Sequence, residues 1–233
     1  LYPSIMLSAA KSPRGDSSGT FLKLLRNLRD FRLTAKDFAK TSREREEKEF
    51  YDSLQSTFKI LINSFYGYLG FAQGTFNDYA LAASVTAAGR AILESMTAFL
   101  KKSGALVIEI DTDGIYFQPP PDVKSPEDMK EKIQQILPNG IEVELDNTYH
   151  SMFCYKSKNY ALLSHKGEVS ITGAALKSRG LEPFQREYMR DFIKMLLQKN
   201  YNGIKTLSCE YRRKISNREF PLAKFAKKET LQE

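Results

Sequence analysis

A short acidic turn between two apolar runs constrains this chain more than any other stretch. In Ile108-Glu109-Ile110-Asp111-Thr112-Asp113-Gly114-Ile115-Tyr116-Phe117, apolar residues flank the carboxylates on both sides. At strand period two, Val107, Glu109, Asp111 and Asp113 share one face, and Ile108 and Ile110 share the other. Asp113-Gly114 is a strong turn signal, so the stretch predicts a hairpin over 105–118 whose strands meet at an acidic corner. Carboxylates gathered in this way suit hard, oxygen-seeking cations such as Mg²⁺. An ordinary hairpin with a solvated Asp-Gly turn has the same local pattern, so the rest of the chain must decide.

The 233 residues, 42% of them hydrophobic, are enough for one large domain or a few small ones. The net charge of +7 and pI near 9.2 favour a polyanionic partner such as nucleic acid over an acidic one. The plainer alternative is a charge that only keeps the chain soluble. Cys154 and Cys209 lack metal-ligand spacing, and His150 and His165 add nothing to a zinc case. So few cysteines fit a reducing, intracellular setting. No apolar run reaches the roughly 18 residues of a membrane span, and no signal-peptide pattern opens the chain. The sequence begins at Leu1-Tyr2-Pro3 without Met, which suggests a piece of something longer.

Along the chain, residues 1–20 read as a short apolar run followed by a turn-rich stretch. The spacing predicts a helix over 21–42 and a second over 43–66, charged first and apolar later, with Gly67 and Gly70 ending it. Two such helices joined by a short break form a helical hairpin. A third, Ala-rich helix is predicted over 78–103, ahead of the acidic hairpin. Pro119-Pro120-Pro121 is a stiff connector. A helix over 126–137 follows, then strands at 141–146, 151–155, 159–164 and 168–173, and helical pattern again from Glu182. Glu142 and Glu144 alternate with Ile141, Val143 and Leu145, so they share one face of the expected strand. This order fits an α+β domain with a helical insertion.

On the second helix Lys59, Asn63 and Tyr66 are spaced i, i+4, i+7 and share a face. On the first, Arg32 and Lys36 are also i, i+4. If the two helices pack as a hairpin, Arg32, Lys36 and Lys59 can converge, and three cations around one spot suit a triphosphate. Tyr66 offers a flat face and Gly67 a close backbone approach, both useful beneath a base pair. Two surface helices with solvated Lys and Arg are the plainer reading of the same residues.

These stretches together resemble family B DNA polymerases. Lys-x-x-x-Asn-Ser-x-Tyr-Gly at 59–67 resembles the family's fingers motif, and Asp111-Thr112-Asp113 its catalytic palm hairpin. Leu1-Tyr2-Pro3-Ser4-Ile5 resembles the end of the first palm motif. Tyr155-Lys156-Ser157-Lys158-Asn159-Tyr160 resembles the basic segment that grips primer-template. The four motifs occur in the family's order over nearly the whole chain, and the compact hairpin is similar to that of prokaryotic members.

The resemblance implies a palm, an antiparallel sheet with packed helices. The palm begins at 1–20 and continues over 71–185 with the catalytic hairpin; helical-hairpin fingers are inserted at 21–70, and a helical thumb begins at 186–233. It implies template-directed nucleotidyl transfer to a primer 3′-hydroxyl with two Mg²⁺ ions, Mn²⁺ being able to substitute. Asp113 would be the stronger ligand of these ions and Asp111 the weaker. Tyr2 would pack on the sugar and exclude a 2′-hydroxyl; Arg32, Lys36 and Lys59 would hold the triphosphate; Asn63, Tyr66 and Gly67 would help place the nucleotide. Lys156, Lys158 and Tyr160 would hold the duplex through its backbone. An accessory palm glutamate of the family corresponds to Glu142 or Glu144. The implied partners are primer-template DNA, deoxynucleoside triphosphates, and a sliding clamp or other replication factors, with no membrane. The implied setting is cytoplasmic and nucleoid-associated, in replication or repair.

The chain also departs from the pattern. The family's first catalytic Asp would stand about four residues before Leu1, and the exonuclease domain that precedes the palm is missing, so the isolated piece is expected to be inactive. Gly114 replaces a common Ser, and Asn159 a common Lys or Arg. The thumb is expected to stop short, in a polar tail. A second reading therefore stays open: a polymerase-like DNA-binding or scaffold domain that has lost catalysis. A third, another two-metal nucleotidyl transferase such as a reverse transcriptase, fits the paired Asp but not the Asn-Ser-x-Tyr-Gly helix.

Overall fold

In the computed structural model, residues 1–173 and 180–227 are described. The end of the expected polar tail lies outside them. The fold is α+β, with small antiparallel sheets. The chain divides into two compact units, Leu1–Ala105 with Pro119–Glu144, and Leu106–Gln118 with Leu145–Glu233. Among the described residues no helix is long and apolar enough to cross a membrane.

The first unit is helical. Its first element corrects the sequence reading of 1–20: Tyr2–Ser8 is a helix, α1. Pro3 lies in its first turn, where a missing N–H costs nothing, and Ile5 and Met6 drive it into the core. Helix α2 (Thr20–Thr41) starts at Gly19, which has φ +67° and no side chain to cap the turn. The buried carboxylate of Asp16 caps it from a distance, accepting from the N–H groups of Thr20 (2.8 Å) and Phe21 (3.0 Å). Helix α3 (Arg45–Leu69) packs along α2 as the expected hairpin. Of the two glycines expected to end it, Gly67 lies within the helix and Gly70 caps it, so the helix runs past the expected 43–66 to Leu69. The continuation buries Leu69 completely.

Helix α4 (Tyr79–Lys102) is capped by Asp78, whose carboxylate accepts from Leu81 N–H (2.9 Å) and from Arg14 N–H (3.0 Å). The bond from Leu81 chiefly holds this carboxyl below its usual range. Its capping contribution is therefore present above the unfolded value of 3.8 and lost as pH falls through the lower folded value. Asp78→Ala is expected to cost about 1–2 kcal/mol, seen as a lower urea midpoint at pH 7; an unchanged midpoint would contradict this. The unit's core joins Ile5 and Met6 of α1 to Phe21 and Leu25 of α2, Ile62 and Leu69 of α3, and Leu81 and Val85 of α4.

Helix α5 (Pro126–Gln134) is shorter than the sequence suggests. Pro138 disfavours helix in the residue before it, and the Gln134 side chain turns to the next segment. There it donates to Ile141 C=O (2.9 Å) and accepts from Val143 N–H (2.9 Å). This corrects the strand expected at 141–146: the segment pairs with a side chain, not with a strand. The period of two survives over 141–144 and stops at Leu145, which is exposed. Ile141 is buried and Val143 half-buried, while Glu142 and Glu144 face out.

The second unit carries both sheets. β1 (Leu106–Asp111) and β2 (Gly114–Gln118) form the acidic hairpin, with a bulge between Val107 and Glu109. Asp111 pairs with Gly114, so the turn residues are Thr112 and Asp113, one position earlier than the Asp-Gly signal suggests. β3 (Ser151–Lys156), β4 (Asn159–Leu163) and β5 (Val169–Thr172) form an antiparallel sheet in that order. Helix α6 (Pro183–Leu197), opened by a Glu182–Gln185 capping box, lays Ile193 and Leu197 on Ala161 and Leu163 of β4. Helix α7 (Tyr201–Ser216) packs beside it, and Tyr188 and Ser208 share a 2.9 Å hydrogen bond.

Candidate functional site

In the first unit, the candidate site is the basic side of α2. Lys36 Nζ donates to both oxygens of Glu144 at 2.7 and 2.9 Å, and Arg29 lies 4.0 Å from Glu142. Lys36 holds the Glu144 carboxyl below its usual range, and the charges of Arg32 and Lys40 add to the effect. The helix thus brings Arg32, Lys36 and Lys40 to bear on one carboxylate, as spacing of four residues along a helix allows. Arg32 Nε is buried without a hydrogen-bond partner among the described residues. A buried, unsatisfied guanidinium nitrogen costs about 1–3 kcal/mol or more, so it is a place where an anionic ligand would be welcome.

Lys59 and Asn63 are exposed on α3, and no hydrogen bond or ion pair among the described residues links either to that group. Tyr66, further along the same face, is half-buried against Tyr2, with ring centroids 4.5 Å apart and planes inclined at 39°. Gly89 of α4 seats the Tyr2 ring from another side. A Cβ there would come within 3.0 Å of Tyr2 Cε1, so a side chain would push the ring away. The sequence reading missed Gly89, although a glycine in the middle of an Ala-rich helix is a visible signal. Gly67 is the opposite case. It is exposed within α3, and a Cβ there would meet nothing within 4 Å. Mid-helix glycine costs about 1 kcal/mol relative to Ala, and nothing in the fold requires it here.

In the second unit, the hairpin turns its carboxylate side inward. Glu109 and Asp111 are half-buried, whereas Leu106, Ile108 and Ile110 are exposed. Tyr160 Oη donates to Asp111 Oδ2 (3.0 Å) and lies 3.4 Å from Tyr116 Oη; Lys158 Nζ stands 3.8 Å from Asp111 Oδ1. Burial first, then the neighbouring Tyr116, raises the Tyr160 phenol well above its ordinary value, so it stays a neutral donor. Tyr160 is 5% exposed and engaged with Asp111, whereas the two cations of the basic segment, Lys156 and Lys158, are exposed. Lys156 Nζ lies 5.8 Å from the centre of the Tyr155 ring. At the hairpin tip Asp113 is exposed, its N–H donates to Asp111 C=O (2.7 Å), and Thr112 takes φ +59°. That conformation is an outlier for a β-branched residue and stores about 1–3 kcal/mol. Among the described residues no group of three or more His, Cys, Asp and Glu side chains gathers as a cation site. The carboxylates that the hairpin tip could offer a divalent ion are Asp113, which is exposed, and Asp111, which is half-buried and bonded to Tyr160.

The first unit thus carries a basic helical face, and the second an acidic hairpin beside a basic turn. The profile of DNA polymerase family B matches residues 7–233, and the chain belongs to that family. It is 32% identical over 214 residues to DNA polymerase 1 of Pyrococcus abyssi, covering 88% of this chain and 28% of that protein. It is 30% identical over 244 residues to the DNA polymerase of Paramecium bursaria Chlorella virus NY2A, covering 93% of this chain and 26% of that protein. A DNA polymerase of Archaeoglobus fulgidus is 28% identical over 229 residues, 89% of this chain and 29% of that protein. The chain thus spans between a quarter and a third of the length of these relatives.

Proposed function

We propose that this chain is the nucleotide-receiving and duplex-holding part of a template-directed DNA polymerase. In this reading 1–20 and 71–185 are palm, 21–70 fingers, and 186–233 the beginning of the thumb. Family membership supports the reading. The observation that carries it is the unsatisfied Arg32 Nε beside Lys36 on the α2 face, where a triphosphate supplies the acceptors that the fold leaves out.

Arg32, Lys36 and Lys59 neutralise the triphosphate, and Asn63 orients it. Tyr2, held by Tyr66 and Gly89, packs on the sugar and leaves no room for a 2′-hydroxyl. The open surface at Gly67 admits a base pair against the helix. Lys156 and Lys158 contact the duplex backbone irrespective of sequence, with Tyr160 supporting them from beneath. Asp113 offers its carboxylate to divalent metal, Mg²⁺ or Mn²⁺, and Asp111, restrained by Tyr160 and Lys158, keeps the turn in place. When bound, two such ions activate the attacking hydroxyl and stabilise the leaving pyrophosphate. Sliding clamps or other replication factors are the protein partners this reading implies.

Glu144 occupies Lys36 and must release it before a triphosphate can bind there. Glu144→Gln is therefore expected to tighten deoxynucleoside triphosphate binding without divalent ions about two- to fivefold, the worth of an exposed ion pair. Lys36→Ala should weaken it. Calorimetric titration of the chain reads both, and unchanged affinity in the two variants would remove the triphosphate from α2.

A further inference from the structure

Glu109 lies two residues before Asp111 on the same side of β1. Its carboxylate accepts from the backbone N–H of Lys158 (2.9 Å) and from the Cys154 thiol (3.2 Å). Both partners belong to the β3–β4 hairpin: Cys154 within β3, and Lys158 in its two-residue turn, since Lys156 pairs with Asn159. Lys158 takes φ +58°, which costs a non-glycine residue about 1–2 kcal/mol. A glycine would relieve that cost and lose the cation. The lysine instead has its amide fixed by a charge-assisted bond and its Nζ placed 3.8 Å from Asp111, with the side chain 64% exposed. Burial, followed by the hydrogen bond to Glu109, raises the Cys154 thiol, so it remains a protonated donor to that carboxylate.

We infer that Glu109 is a positioning residue: it clamps the β3–β4 turn to the acidic hairpin and so holds the Lys158 cation where it grips the backbone of bound duplex. This rests on the duplex-binding role of Lys158 proposed above. Removing the acceptor leaves the Lys158 amide unsatisfied in a strained turn, and the cation loses its fixed place. The Ala and Gln variants at 109 carry the same charge, so any difference between them reads the hydrogen bond and not the electrostatics.

The test is binding of primer-template duplex to the chain across a salt series, followed by fluorescence anisotropy. Lys158→Ala is expected to weaken binding and to lower the slope of log affinity against log salt by about one, the signature of one lost phosphate contact. Glu109→Ala should reproduce both effects, whereas Glu109→Gln should bind several-fold tighter than Glu109→Ala and keep the original slope. Wild-type binding by Glu109→Ala alongside a defective Lys158→Ala overturns the inference and leaves the duplex reading standing. Weaker binding with an unchanged slope also overturns it, because general loosening of the fold would do the same. A Lys158→Ala variant that binds like wild type sinks the duplex reading and the inference together. The unsubstituted chain gives an independent check: the Lys158 amide should exchange slowly with solvent, and exchange at the unprotected rate overturns the clamp without any variant.

Discussion

Asp113→Ala in the whole protein is expected to lower nucleotide incorporation about a thousandfold or more, while primer-template affinity stays within about twofold. A carboxylate that holds a catalytic metal accounts for several kcal/mol of transition-state charge stabilisation, and about 1.36 kcal/mol is a factor of ten in rate. The hairpin has restraints on other residues: Asp111 is held by Tyr160 and Lys158, and Glu109 by Lys158 and Cys154. The variant should therefore keep the fold of the turn. Single-turnover incorporation separates the steps, and near-wild-type rates would remove Asp113 from the metal site.

Lys59→Ala is expected to lower kcat/KM for the incoming nucleotide about ten- to a hundredfold, through a higher KM together with slower chemistry. A hydrogen bond to a charged group contributes about 1.5–3 kcal/mol, and an interaction that strengthens in the transition state appears in both parameters. Lys59 is exposed on α3, and no ion pair among the described residues engages it, so its loss should not disturb folding. Steady-state kinetics at saturating primer-template checks this, and unchanged parameters would place Lys59 outside the triphosphate site.

The parts of the fold legible in the sequence are those set by local periodicity. The helical hairpin, the Ala-rich α4 and the acidic β-hairpin all follow from apolar spacing, with ends close to the observed ones. The misread parts are those where a distant partner decides. At 141–144 the alternation is real, but Gln134 takes the hydrogen bonds that a neighbouring strand would have taken. At residues 2–8 a seven-residue helix is too short to declare itself by period, and burial of Ile5 and Met6 makes it. Gly67 looks like a stop signal, yet its helix continues because Leu69 has a core to enter.

The candidate residues divide in the same way. Pairs along one helix, such as Arg32 with Lys36, are visible as spacing. The tertiary links are not: Glu144 on Lys36 spans 108 residues, Tyr160 on Asp111 spans 49, and Tyr2 meets Tyr66 and Gly89 through packing alone. The resemblance names Asp111 and Tyr160 as ligand and duplex contact. The hydrogen bond that joins the two is a link that no spacing in the chain could reveal.

Primer extension by the whole protein tests the central claim most directly, with Mg²⁺, single deoxynucleotides, and templates that differ only in the next base. Addition of the complementary nucleotide on each template is the predicted result. No addition to a primer-template that the protein demonstrably binds, or addition without regard to the template base, would contradict it.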